Sequence, residues 1–273
     1  MAWETILFER DGPLRLITLN RPRVLNAISR RMVEELAEAF AAVEADREAR
    51  VLLITGAPRP DGRPCFSAGA DLTEARAQPL SPKDDLVRRA LESAWEVAQN
   101  DGPRHGSIYH TLFARLERMP IPSIAVVDGI CTTGALELIL ACDLRVVADT
   151  AEISDWHLKN LGVIGGAGVT TRLPHLIGAA RAKELMWTGA PLSGEEAYRI
   201  GLANRVFPSA ELLPRAKDLA RTIAARPPAA LAASKAVINA ALRHTPADGI
   251  RYSALWSALI ALQRELEGGP PAE

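Results

Sequence analysis

Hydrophobic and polar positions follow two rhythms along this chain. Residues 5–9 and 14–20 read as short strands around the turn Asp11-Gly12-Pro13, and Asn20-Arg21-Pro22 ends the second. Ser29 then stands as a cap before a helix reaching about residue 45, with Val33, Leu36, Phe40 and Val43 recurring at helical spacing. Val51-Leu52-Leu53-Ile54-Thr55, closed by Gly56, has the pattern of a strand buried on both faces. Ile124 to Val127 repeats that signal before Asp128-Gly129. A short apolar helix follows over about Gly134 to Ala141, and Leu144 to Val147 reads as a further strand. Strands alternating with helices through the first two thirds predict an α/β class.

Beyond residue 178 the rhythm is helical. Ser193-Gly194-Glu195-Glu196 is a capping box opening a short helix that stops at Gly201. Two helices are expected at 210–225 and 228–242, split by Pro227-Pro228. Thr245-Pro246-Ala247-Asp248 supplies a cap, a first-turn proline and an acid for a last helix to about Glu267. Leu255, Trp256, Leu259, Ile260 and Leu262 give that helix a broad apolar face that needs a partner. The stretch 73–119 fits a compact core least. Breakers at Gln78-Pro79-Leu80-Ser81-Pro82 and Asn100-Asp101-Gly102-Pro103 bracket an expected helix at 84–99, and the whole reads as a surface excursion with the character of a lid.

Composition narrows the function. The 273 residues suffice for one large domain or a domain with a helical appendage, and 48% hydrophobic residues exclude a disordered chain. A net charge of −1 gives no general attraction to nucleic acid or an anionic membrane. The first residues lack the basic start and apolar core of a signal peptide, and the longest apolar runs are too short to span a bilayer. Cys65, Cys131 and Cys142 are odd in number and lack metal-ligand spacing. They read as buried thiols of a cytoplasmic protein and supply no metal site.

Two turns of small residues carry candidate chemistry. Phe66-Ser67-Ala68-Gly69-Ala70-Asp71-Leu72 follows a buried strand, and Asp71 is placed to cap a helix start, with Glu74 three residues on. Asp128-Gly129-Ile130-Cys131-Thr132-Thr133-Gly134-Ala135 runs from a strand into a helix. Unpaired N–H groups at such helix starts favour negative charge, and one from each turn would make an oxyanion hole. Either turn alone is more often a simple tight turn. The stronger signal is Glu137, the only ionisable residue between Gly134 and Cys142. A carboxylate in so apolar a helix is costly unless paired or functional, and three residues after Gly134 it suits a general acid/base. A carboxylate capping a neighbouring element is the structural alternative.

Taken together, these motifs resemble the crotonase, or enoyl-CoA hydratase/isomerase, superfamily. The resemblance rests on Asn20-Arg21-Pro22-Arg23-Val24-Leu25-Asn26-Ala27, on the two turns, on Ala141-Cys142-Asp143-Leu144-Arg145, and on Leu161-Gly162-Val163-Ile164-Gly165-Gly166-Ala167-Gly168. It continues through Leu185-Met186-Trp187-Thr188-Gly189 and Ala197 to Val206. It implies a crotonase-like spiral of β-β-α units over residues 1–200, with the excursion 73–119, and a helical trimerisation region over 201–273. It implies trimers, often paired into hexamers. By position it assigns the oxyanion N–H groups to Ala70 and Gly134 and the first catalytic glutamate to Glu137. Arg23, Val24, Ala27, Ala68, Asp71 and Leu72 fall where the family holds coenzyme A, which enters as part of the substrate rather than as a prosthetic group.

Two departures stand out. Thr133 and Ala135 flank Gly134 where the family carries a run of glycines. Where hydratases carry Pro-Glu before the glycine-rich segment, this chain has Asp155-Trp156-His157-Leu158-Lys159-Asn160, and the region carries an extra residue. Asp155 and His157 are the candidate replacements for the second glutamate, since either can move a proton near neutral pH. His110, on the excursion, is a weaker candidate, and Trp156 reads as core. The implied reaction is syn hydration of a 2-enoyl-CoA in fatty acid metabolism. The rivals are double-bond isomerisation, thioester hydrolysis and a non-catalytic acyl-CoA-binding homologue. The Gly165-Gly166-Ala167-Gly168 run lacks dinucleotide-binding spacing.

Overall fold

A computed structural model describes residues 3–73, 87–88, 91, 108–241 and 245–266. The chain opens with a hairpin, β1 (Ile6–Asp11) and β2 (Leu14–Leu19), paired antiparallel with Ile6 opposite Leu19. Helix α1 (Arg30–Ala45) follows, capped as its sequence predicts: the Ser29 side chain accepts from the Met32 N–H.

From there the chain repeats one move. It runs along a strand of a first sheet, turns, and continues as a short strand of a second sheet. β3 (Val51–Gly56) leads to β4 (Cys65–Ser67). After α2 (Ile108–Arg118), β5 (Ser123–Val127) leads to β6 (Ile130–Thr132), and α3 (Gly134–Ala141) closes that unit. β7 (Leu144–Ala148) leads to β8 (Glu152–Ser154). Next come α4 (Val169–Ile177), α5 (Ala179–Thr188), β9 (Leu192–Ser193), α6 (Gly194–Arg199) and β10 (Arg205–Phe207). The first sheet has the order β1-β2-β3-β5-β7-β10, parallel from β2 onward; the second has the order β4-β6-β8-β9. This is the expected spiral of β-β-α units.

The central strands β3 and β5 of the first sheet are buried on both faces, which is why they read as apolar runs rather than alternating ones. Leu52 and Ile54 face a core shared with α1, α2 and α3. Val51 and Leu53 face the other side, where Leu212, Ala216 and Ala220 of α7 (Ser209–Ala224) cover the sheet. Two further helices, α8 (Pro228–Ala241) and α9 (Pro246–Leu266), complete the described chain. No helix among the described residues is long and apolar enough to cross a membrane.

Two boundaries differ from expectation. The excursion was placed at 73–119, but Leu112, Phe113 and Leu116 of α2 are buried in the main core, so its last dozen residues belong to the scaffold. The three buried positions recur at helical spacing, and the surrounding arginines concealed that stripe. The expected helix 84–99 lies mostly outside the described residues. The layered core also continues past residue 200: β10 pairs with β7 and α7 packs on the sheet, so the spiral uses residues assigned to the C-terminal region.

Candidate active site

The two small-residue turns meet at the end of the second sheet. Ile28 bridges Ala70 in the parallel sense: the Ile28 N–H donates to the Gly69 carbonyl, and the Asp71 N–H donates to the Ile28 carbonyl. That pattern directs the Ala70 N–H away from Ile28. Gly134 begins α3, so its N–H has no intrahelical acceptor. Neither N–H is donated in any backbone hydrogen bond outside regular elements among the described residues. A Cβ placed on Gly134 would sit 3.2 Å from the Ala70 nitrogen, so glycine leaves open the space between the two donors.

The turns are tied together by the residue that breaks the glycine run. Thr133 adopts φ 51° and ψ −119°, a conformation that strains a β-branched side chain. Its hydroxyl donates to the Ala68 carbonyl at 3.1 Å, joining the second turn to the first. The threonine therefore exchanges local backbone ease for a cross-link between the two donor segments.

Glu137 lies one helical turn into α3 and is buried. Its Oε1 accepts the N–H groups of Ala167 (2.8 Å) and Val169 (3.2 Å), at the end of the glycine-rich segment and the start of α4. Residue-type reasoning missed this cradle because backbone amides carry no side-chain signature. The available signal was a run of glycines directly preceding a helix, where unpaired N–H groups attract a carboxylate. With Oε1 held this way, Oε2 is the oxygen left to react.

His157 faces that oxygen, its Nε2 lying 3.9 Å from Glu137 Oε2. The other ring nitrogen, Nδ1, is 2.6 Å from Asp155 Oδ1, which also accepts the His157 backbone N–H. Asp155 is fully buried, and its Oδ2 takes no hydrogen bond among the described residues. Burial pulls the imidazole pKa down, but the hydrogen bond and charge of Asp155, with the charge of Glu137, outweigh it and raise it above its ordinary value. The segment continues as a single π-helical turn over His157–Leu161, ended by Gly162 in the left-handed conformation. A Cβ on Gly165 would lie 2.7 Å from Glu137 Oε1 and 3.0 Å from the His157 ring, so glycine again keeps the space clear.

Of the remaining candidates, His110 lies in the first turn of α2 and pairs with none of Glu137, Asp155 and His157. Trp156 is half-buried, and its indole N–H donates to the Gly189 carbonyl. The three cysteines are buried. Burial pushes Cys65 to about 11 and Cys142 to about 12, and raises Cys131 well above the usual thiol value, as expected of inert thiols.

The six residues matched to coenzyme A binding fall on two adjoining segments. Arg23 and Val24 are exposed on a 3-10 turn (Pro22–Val24), and Ala27 follows. Ala68, Asp71 and Leu72 lie alongside, joined by the Ala68 N–H to the Leu25 carbonyl and by the Arg21–Asp71 ion pair at 2.8 Å. Asp71 accepts from the Thr73 hydroxyl and N–H as well, so its carboxylate braces the turn; Glu74 lies outside the described residues. Asn26 holds the base of this surface, its amide reaching the Ala57, Cys65 and Phe66 carbonyls.

Comparison with known proteins gives a consistent picture. Residues 9–257 match the family model of enoyl-CoA hydratase/isomerase. The chain is 31% identical to the short-chain-enoyl-CoA hydratase of Clostridium acetobutylicum, over 88% of this chain and 82% of that protein. It is 35% identical to the crotonyl-CoA hydratase of Syntrophomonas wolfei, over 88% of this chain and 83% of that protein. The crystal structure of the enoyl-CoA hydratase from Bacillus anthracis superposes with a TM-score of 0.80 at 31% identity, covering 98% of each chain.

Proposed function

The chain belongs to the enoyl-CoA hydratase/isomerase family, and from that premise we propose that it hydrates a 2-enoyl-CoA thioester. One observation carries the reading: a buried carboxylate, Glu137, has one oxygen fixed by two amides and the other turned to His157, one helical turn from the Gly134 N–H, which like the Ala70 N–H makes no backbone hydrogen bond outside regular elements among the described residues. Ala70 and Gly134 donate to the thioester oxygen as it gains charge, where one such donor lowers the barrier by roughly 3–4 kcal/mol. Glu137 handles the proton of the added water. Coenzyme A enters as part of the substrate, against Arg23, Val24, Ala27, Ala68, Asp71 and Leu72.

The same reading assigns the protein to cytoplasmic fatty acid metabolism, as the buried, unreactive thiols suit. It also assigns α8 and α9 to contacts between copies in a trimer or a pair of trimers. Ile238, Ile250, Leu255, Leu259 and Leu262 are exposed on these helices and need cover. Incubation with crotonyl-CoA in ¹⁸O-labelled water tests the chemistry. Label at C3 of a 3-hydroxyacyl-CoA product is expected. Release of free coenzyme A with labelled carboxylate would instead mark a hydrolase.

A further inference from the structure

We propose, on the hydratase reading above, that His157 is the second proton-carrying catalytic residue and that Asp155 is the positioning residue that fixes its tautomer. An imidazole whose Nδ1–H is held by a carboxylate presents Nε2 as its working atom. Here Nδ1 is bound at 2.6 Å and Nε2 points at Glu137 Oε2. The 3.9 Å between Nε2 and Oε2 is ion-pair distance, too long for a direct hydrogen bond, and puts both atoms within reach of one reacting water. A Cβ on Gly165 would crowd Glu137 Oε1 and the His157 ring carbon Cε1, so glycine lets both side chains keep these positions.

The groups around the ring support a proton donor. Asp155 presents a buried carboxylate with one unpartnered oxygen, and a protonated imidazole offsets the cost of burying that charge. Glu137 faces it from α3. Lys159, on the same turn, lies over the Trp156 ring instead. From α4, Arg172 is engaged with Glu117 and the Ala167 carbonyl. Arg181, Lys183 and Glu184 of α5 are exposed, and none pairs with the ring.

The resulting hydration balances. Glu137 Oε2 takes a proton from water as the water oxygen bonds to C3. The C2=C3 π pair moves into the enolate, whose oxygen rests on the N–H groups of Ala70 and Gly134. The enolate then collapses and takes the Nε2 proton at C2. Glu137 is left protonated and His157 neutral, and transfer of that proton from Oε2 to Nε2 through one water resets both.

The test is the pH dependence of kcat and KM for crotonyl-CoA hydration in wild type, His157→Gln, Asp155→Asn and His157→Glu, with folding checked by Tm. His157→Gln is expected to lose about 100-fold or more in kcat with little change in KM. Asp155→Asn should keep most of its activity at low pH and shift the alkaline limb downward by about one pH unit. His157→Glu should recover activity to within about tenfold of wild type. A folded His157→Gln within threefold of wild type overturns the assignment to His157. A uniform loss in Asp155→Asn, with the limb unmoved, overturns the positioning role. A wild type that hydrates no enoyl-CoA removes the hydratase reading instead. Exchange of the C2 protons of butyryl-CoA in D2O then decides His157: loss of exchange in His157→Gln supports the assignment, and unchanged or absent exchange overturns it.

Discussion

Glu137 and His157, the two walls of the candidate site, face each other across 3.9 Å, yet they are held in different ways. Glu137 sits on a regular helix wholly buried in the core, and two backbone amides from another element grip one of its oxygens. His157 sits at the head of a five-residue π-helical turn and is oriented through a single carboxylate two residues earlier. The first wall is set by the scaffold, so only a change of the residue itself or of the donors beside it removes its function. The second depends on one side chain, so its protonation and direction can be altered without touching the ring.

The largest expected loss is on the first wall. Gly134→Val fills the space 3.2 Å from the Ala70 nitrogen and should lower kcat about 10²- to 10³-fold, the scale of losing an oxyanion donor. A folded variant with kcat unchanged would show that the thioester oxygen is held elsewhere. Thr133 gives a finer contrast. Thr133→Val keeps the strained backbone but removes the hydroxyl from the Ala68 carbonyl, and should destabilise by about 1 kcal/mol in denaturant unfolding. Thr133→Gly loses the same bond but relieves strain of about 1–3 kcal/mol, so its stability should stay near that of wild type. Equal destabilisation by both would mean that the backbone at 133 is not strained.

The smallest effect belongs to the second wall and depends on pH. The folded-state pKa of His157 is raised above its ordinary 6.5, through Asp155 and Glu137 against the pull of burial. Its pairing therefore contributes fully below 6.5, and the contribution is lost as pH rises through the raised value. The Tm difference between wild type and His157→Gln should be widest in mild acid and shrink in alkali. A difference that widens with pH would mean that the ring is held neutral.

The two walls also differ in how far residue patterns reveal them. Glu137 stands out because one carboxylate in an otherwise apolar helix violates the burial rule, and its neighbours share the periodicity of a regular element. Strands β3 and β5 are equally legible, since burial on both faces leaves a nearly continuous apolar run. At residues 155–160 no periodicity applies. The direction of His157 is set by the Asp155 carboxylate and by a π-helical turn ended at Gly162, neither of which composition reveals. The Ala167 and Val169 amides were hidden for a different reason: their chemistry belongs to the backbone. α2 was misplaced because arginines among its buried positions resemble a surface segment.

The most direct measurement is the loss of conjugated enoyl absorbance when the purified protein meets crotonyl-CoA, run beside Glu137→Gln. Rapid loss with wild type and a rate at least about 10²-fold lower with the variant is expected if Glu137 carries the proton of the added water. Equal rates in the two proteins, with both folded and both binding coenzyme A, would contradict the account at its centre.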